Sequence, residues 1–195
     1  MTNNSSPDNL PSITNDSGGK LWLAWASSRT GSGDIYISNS SDGVVWSVAT
    51  PVDTNSSSDS RPSLIQDKTG TFWVAWESLR SGISNDIWIA NSSDGVAWNV
   101  VTSIETGGTN PDTTPSLMQD KNNKYWVVWT GGACNCELYI SNSSNGTGWS
   151  TPLQITTTGP TDTNTGASII QDSDGMYWIA WRSERSGNYD IWLMN

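Results

Sequence analysis

A block of about fifty-two residues is written four times in this chain. The second tryptophan of a W-x-x-W pair falls at Trp25, Trp76, Trp129 and Trp181, so the spacings are 51, 53 and 52 residues. PSITND, PSLIQD, PSLMQD or ASIIQD precedes each pair, and DIYISNS, NDIWIANS, ELYISNS or DIWLMN follows it. Such a period means one supersecondary unit that cannot bury its apolar face alone and must stack on copies of itself. Residues common to every copy are therefore expected to be scaffold, and residues that break the repeat are the more distinctive ones.

Each copy reads as four short β-segments. The first ends in Asp16, Asp67, Asp120 or Asp172, with Gly19, Gly70, Asn123 or Gly175 three residues on. Asp opens a turn with its own side chain, and Gly or Asn accepts the left-handed position that closes it. The second segment (LWLAW, FWVAW, YWVVW, YWIAW) is aromatic and β-branched and too short for a helix. After the third, Asp42-Gly43, Asp94-Gly95 and Asn145-Gly146 predict tight I′ hairpins leading into fourth segments near Trp46, Trp98 and Trp149. The fourth copy ends after its third segment, and at the other end of the chain the residues before Leu10, MTNNSSPDN, align with a loop rather than a strand.

Four antiparallel strands per fifty-residue repeat describe a β-propeller blade. The tryptophans of each pair, three apart, face opposite sides of a strand, so both faces need covers, as stacked blades provide. The expectation is an all-β, single-domain propeller over residues 1–195. Its four repeats cover about 10–60, 61–113, 114–166 and 167–195, each a four-stranded antiparallel sheet except a three-stranded last blade. Trp25, Trp76, Trp129 and Trp181 are expected in the core. Four blades are expected to close on themselves as a monomer, with Trp192 shielded by the first blade; the alternative is a head-to-tail homodimer ring.

Ser40-Ser41-Asp42-Gly43-Val44-Val45-Trp46 and Ser92-Ser93-Asp94-Gly95-Val96-Ala97-Trp98 resemble the Asp-box, S-x-D-x-G-x-x-W, of BNR-repeat, sialidase-like propellers. The residue between Asp and Gly is missing, and Ser143-Ser144-Asn145-Gly146-Thr147-Gly148-Trp149 also replaces the Asp. The resemblance implies blade architecture across the whole chain, with the box structural and on the face away from the ligand site. It also raises the possibility of a sialidase-like glycoside hydrolase, which would use an arginine cluster, a tyrosine nucleophile and acidic partners. The R-I-P element of that family is absent here, since Pro62 follows Arg61 directly.

The chain carries 9 basic and 19 acidic residues, a net charge of −10, and no histidine. That charge repels phosphate backbones and argues against nucleic acid. No run of eighteen apolar residues occurs, so no membrane insertion is expected. Abundant Ser, Thr, Asn and Gly suit an exported β-protein, so an extracellular or cell-surface location is expected, although no leader is visible in this sequence. Cys134 and Cys136, as C-N-C, read as a local disulfide or two free thiols, because nothing completes a tetrahedral metal site. No metal and no cofactor are expected.

Two groups of residues could carry chemistry. Between the second and third segments lie Arg29 with Asp34, Arg80 with Asp86 and Arg185 with Asp190, either a polar rim or a set of Arg–Asp pairs bracing their own hairpins. The third copy has no Arg there. The loops entering the repeats carry Asp8, Asp59 and Asp112, read as backbone caps or, less simply, as oxygen ligands for a hard cation such as Ca²⁺. Arg61 and Arg182 each occur in one copy and are the most distinctive. With no matched carboxylate pair in evidence, hydrolase activity is not expected. The reading is a non-catalytic binding or adhesion module for glycans or surface proteins; the alternative is a purely structural segment without a small-molecule ligand.

Overall fold

Every blade grows from its aspartate turn. In a computed structural model describing residues 5–104, 109–132, 137–157, 159 and 162–195, Asp16 Oδ1 accepts the backbone N–H of Gly18 and of Lys20, and Oδ2 accepts Trp22 Nε1, each at 2.9 Å. Asp67, Asp120 and Asp172 do the same for their own turns and for Trp73, Trp126 and Trp178. Gly19, Gly70, Asn123 and Gly175 take the expected left-handed φ of 82°, 90°, 65° and 90°. One carboxylate thus fixes both the hairpin and the first indole of the pair.

The strands follow in chain order. Blade one is β1 (Asp8–Asn15), β2 (Leu21–Ser27), β3 (Asp34–Ser40) and β4 (Thr50–Pro51). Blade two is β5 (Asp59–Gln66), β6 (Phe72–Ser78), β7 (Asp86–Ser92) and β8 (Asn99–Ile104). Blade three is β9 (Thr113–Gln119), β10 (Tyr125–Gly131), β11 (Glu137–Ser143) and β12 (Leu153–Gln154), and blade four is β13 (Asn164–Gln171), β14 (Tyr177–Ser183) and β15 (Asp190–Met194). Each sheet is an antiparallel meander in sequence order. The architecture is an all-β propeller ring of four blades, the last three-stranded.

Three local expectations need correction. Asp8 and Asn9 lie within β1 rather than in a loop, because the inner strand begins three residues before Pro11. The Asp-Gly turns are not I′ hairpins: φ is positive at Gly43 and Gly95 but not at Asp42 or Asp94. Side chains hold these turns instead. Ser40 Oγ accepts the N–H of Gly43 at 2.9 Å, and Asp42 Oδ1 accepts those of Val44 and Val45 at 2.8 Å. The fourth strands start after the tryptophan, and β4 and β12 are two residues long. Cys134 and Cys136 fall outside the described residues.

Blades adhere through three cores. Trp22, Ala24, Ile35 and Ile37 of blade one meet Leu64, Val74 and Trp76 of blade two. Trp73, Ile87 and Ile89 meet Leu117, Val127 and Trp129. Val128 and Leu138 meet Ile169, Ile179 and Trp181. All four repeat-defining tryptophans are buried, Trp76 and Trp129 completely. A serine of each inner strand locks the next: Ser12 Oγ accepts Leu64 N–H, Ser63 that of Leu117 and Ser116 that of Ile169, at 3.0, 3.0 and 3.2 Å. Among the described residues no comparable core joins blade four to blade one. Trp192 packs into the core between blades three and four, not beneath the first blade.

Candidate binding site at the ring axis

The repeated arginines turn inward. Arg29, Arg80 and Arg185 each bond a serine at the end of the second strand: Ser27, Ser78 or Ser183, at 2.9, 3.2 and 3.2 Å. Each guanidinium lies on the aromatic residue facing its tryptophan across the hairpin. The distances are 4.1 Å to Tyr36, 4.1 Å to Trp88 and 4.5 Å to Trp192, where the planar cation and the ring attract. Their polar partners sit at the start of the inner strand, joined for Arg80 by Asp53 in the link between β4 and β5. Arg29 reaches Asp8 at 3.3 Å, Arg80 reaches Asp53 and Asp59, and Arg185 reaches Asn164 at 3.2 Å.

That arrangement corrects the expected pairing. Asp34 takes the Thr30 hydroxyl, Asp86 that of Ser81 and Asp190 that of Ser186, so the acids cap their own loops while the arginines tie the loop to the inner strand. Burial pushes the carboxyls of Asp59 and Asp86 up, opposed at Asp59 by the Ser78 hydroxyl and the Arg80 charge and at Asp86 by Ser81. The acids entering the inner strands do not converge on a cation. Asp112 accepts Trp129 Nε1 at 2.9 Å, as Asn164 does for Trp181. Among the described residues no three acidic, cysteine or histidine side chains gather as metal ligands.

The axis itself is irregular. Each inner strand slips register once, between Asn9 and Ser12, Ser60 and Ser63, and Thr165 and Ser168, and in β9 where β10 passes from Val128 to Thr130. The bulged residues Leu10, Arg61, Thr114 and Gly166 take φ of 53°, 51°, 54° and 66°. Glycine holds this left-handed conformation freely, whereas the other three are strained and persist because the bulge over-determines them. All four line one depression of about 240 Å³.

Opposite the bulges, β2, β6, β10 and β14 present Ala26, Glu77, Thr130 and Arg182, four different chemistries at one repeat position. Glu77 is 3% exposed. Its Oε1 accepts Arg61 Nη1 at 2.5 Å, and its Oε2 accepts the backbone N–H of Thr114 at 3.0 Å, which supplies the pairing a buried charge requires. Thr114 and Thr130 hydroxyls lie 3.0 Å apart. Arg61 and Arg182 share a cleft of about 500 Å³ with Thr114, Thr165, Ser168 and Trp181, and Arg182 lies 4.1 Å over the Tyr189 ring. The structure therefore brings Arg61 and Arg182 to one place and leaves the other six candidates in the loop braces. Sequence reasoning missed Glu77. Its signal is the residue after the W-x-x-W pair, which reads Ala, Glu, Thr and Arg in the four copies.

No family model matches the chain, and no curated protein does. Solved structures do. An α-L-arabinanase of Penicillium chrysogenum, complexed with arabinobiose, superposes with a TM-score of 0.77 at 18% identity, over 95% of this chain and 61% of that one. A GH93 α-L-arabinofuranosidase of Fusarium graminearum gives 0.75 at 17%, over 95% and 61%. An endo-arabinase of Bacteroides thetaiotaomicron gives 0.64 at 16%, over 94% and 73%. The chain thus spans about three fifths of the length of the first two. The shared feature is the propeller fold of arabinanase-type glycoside hydrolases.

Proposed function

We propose that this chain is a non-catalytic carbohydrate-binding module of the lectin or adhesion type, acting outside the cell, with its ligand in the axial cleft. The observation that carries the reading is the Arg61–Glu77 pair, which breaks the repeat at the axis and places guanidinium, hydroxyl and indole groups around one concavity. Sugars take such sites through hydroxyl hydrogen bonds and apolar contact with an aromatic face. Against hydrolysis stands the need for two carboxylates flanking the scissile bond. Among the described residues no carboxylate lines the cleft, and Glu77 is held by Arg61. The Ser-Asp-Gly-Trp turns we read as Asp-box variants of BNR-type repeats, structural in role.

Arabinobiose and longer arabino-oligosaccharides are the first probes, because two of the structurally similar enzymes are known in complex with arabinobiose. Calorimetry and a glycan array decide. Binding that Arg182→Ala weakens by about tenfold (~1.4 kcal/mol) without moving the melting temperature supports the module. An array silent at millimolar sugar rejects it in favour of a structural segment. Release of reducing sugar from arabinan or a sialoside rejects it in favour of an enzyme.

A further inference from the structure

The axial depression is walled by the four bulge residues, one from each blade, and each brings a different group. Leu10 gives an apolar side chain, Arg61 a guanidinium, Thr114 a hydroxyl and Gly166 bare backbone. Pro62 and Pro115, both buried, add apolar ring surface to the lining. A Cβ placed on Gly166 would meet nothing within 4 Å, so there is room on that side. Apolar surface with a few aimed polar groups is the lining that seats a small organic ligand.

The charge at this place is already balanced, and within blades two and three alone. Arg61, its side chain 44% exposed, donates Nη1 to Glu77, whose side chain is 4% exposed. The second Glu77 oxygen accepts the backbone N–H of Thr114. Both Glu77 oxygens are occupied, so the carboxylate is not free to take a ligand. Arg61 keeps its other N–H groups, since among the described residues only Nη1 is engaged. The depression thus offers donors without net positive charge, in a chain of net charge −10. A ligand carboxylate placed on Arg61 would bring a second negative charge beside Glu77, where little water screens it. Arg182 lines the neighbouring cleft but not the depression.

We infer that the depression seats one neutral sugar residue and that Glu77 sets this choice, because it cancels the charge of Arg61 and so turns acidic sugars away. The inference rests on the carbohydrate reading above and deepens it. Arg61 and the Thr114 hydroxyl meet the hydroxyls of the sugar, and Leu10 and the prolines meet its C–H face. Glu77 itself touches no ligand; it determines specificity through Arg61. Selection of this kind needs a repulsive element as well as an attractive one.

L-arabinose, D-galactose and D-galacturonate share one pyranose ring and differ only in what C5 carries: a hydrogen, a hydroxymethyl group or a carboxylate. Magnetic-resonance titration of each into the isotope-labelled chain, with the Thr114 and Gly166 amides as reporters, tests the inference. The two neutral sugars should move both signals, and galacturonate should bind the wild type about tenfold more weakly. Glu77→Gln keeps the shape and removes the charge, so galacturonate should gain about tenfold on galactose. A merely structural role would weaken both sugars alike and leave that ratio unchanged. Gly166→Asn suits the left-handed backbone and fills the open side, so it should abolish the shifts without lowering the melting temperature. Galacturonate binding the wild type as well as galactose does overturns the inference, whether or not Glu77→Gln folds. An unchanged ratio in folded Glu77→Gln overturns it too. Arabinobiose that binds by calorimetry while no sugar moves these amides overturns the inference and leaves the module reading standing; a glycan array silent throughout overturns both.

Discussion

Tyr125 of blade three donates its hydroxyl to Asp67 of blade two across 2.6 Å, and the same Asp67 oxygen accepts Trp73 Nε1 at 2.9 Å. One carboxylate therefore holds its own hairpin, its own indole and the neighbouring blade. Tyr177 repeats the contact on Asp120 at 2.7 Å. Burial and the negative Asp67 partner raise the Tyr125 phenol well above its ordinary range. Tyr125→Phe keeps the ring on Trp73 and removes only the hydrogen bond. Chemical denaturation should show a loss of about 1–3 kcal/mol, because the acceptor is charged and mostly buried.

Trp76 is fully buried between blades one and two. Trp76→Ala leaves a cavity that a close-packed blade interface cannot collapse into, and should cost about 3–5 kcal/mol. A loss under about 1 kcal/mol, the size of a typical surface change, would contradict the core assignment.

The turn acids set the response to pH. The Trp22 hydrogen bond holds Asp16 below the ordinary carboxylate range, and the Trp178 bond does so for Asp172. Burial pushes Asp67 and Asp120 up, but hydrogen bonds from Tyr125, Thr69 and Trp73, and from Trp126 and Tyr177, outweigh it. A carboxyl lowered in the folded state binds its proton more readily when unfolded. The stability it contributes is present above about pH 4 and is lost as pH falls through the folded value. Melting curves from neutral pH downward should show that decline, and Asp67→Asn should flatten it while lowering stability at neutral pH.

Arg80 is a brace with a measurable stake in the fold. Its removal takes the cation from Asp53 and from the fully buried Asp59, to which only the neutral Asn55 and Ser78 then donate, and uncovers Trp88. Arg80→Ala should cost about 2–3 kcal/mol in a denaturation experiment. Arg80→Lys should recover only part of it, because a point charge neither stacks nor forks. Unchanged stability together with lost sugar binding would return Arg80 to the ligand site.

Gly95 and Gly43 are the same repeat position in different surroundings. Gly95→Ala adds a methyl against Trp22 on top of a left-handed φ of 72° and should cost more than Gly43→Ala, which carries the φ penalty of about 1–2 kcal/mol alone. Thermal melts of the two variants compare them directly.

The sequence by itself determined the blade: the repeat length, the Asp-to-Gly turns, the buried tryptophans and the three-stranded last sheet are local signals, because hairpins and strand periodicity depend on residues close in the chain. The turn type at Asp42-Gly43 was not legible, since the Ser40 and Asp42 side chains replace the backbone geometry that the dipeptide suggests. The partners of Arg29, Arg80 and Arg185 were not legible either: the matching residues Asp8, Asp59 and Asn164 lie 21 positions away and meet them only once the inner and second strands pair. Tertiary structure alone decided that Arg61, Glu77, Thr114 and Arg182 share the axis, because residues from three blades converge there only when the blades are set around it. It also decided that Ile13 is exposed where Leu64, Leu117 and Ile169 are buried, since the cover over a side chain depends on how blades pack and not on how any one is written.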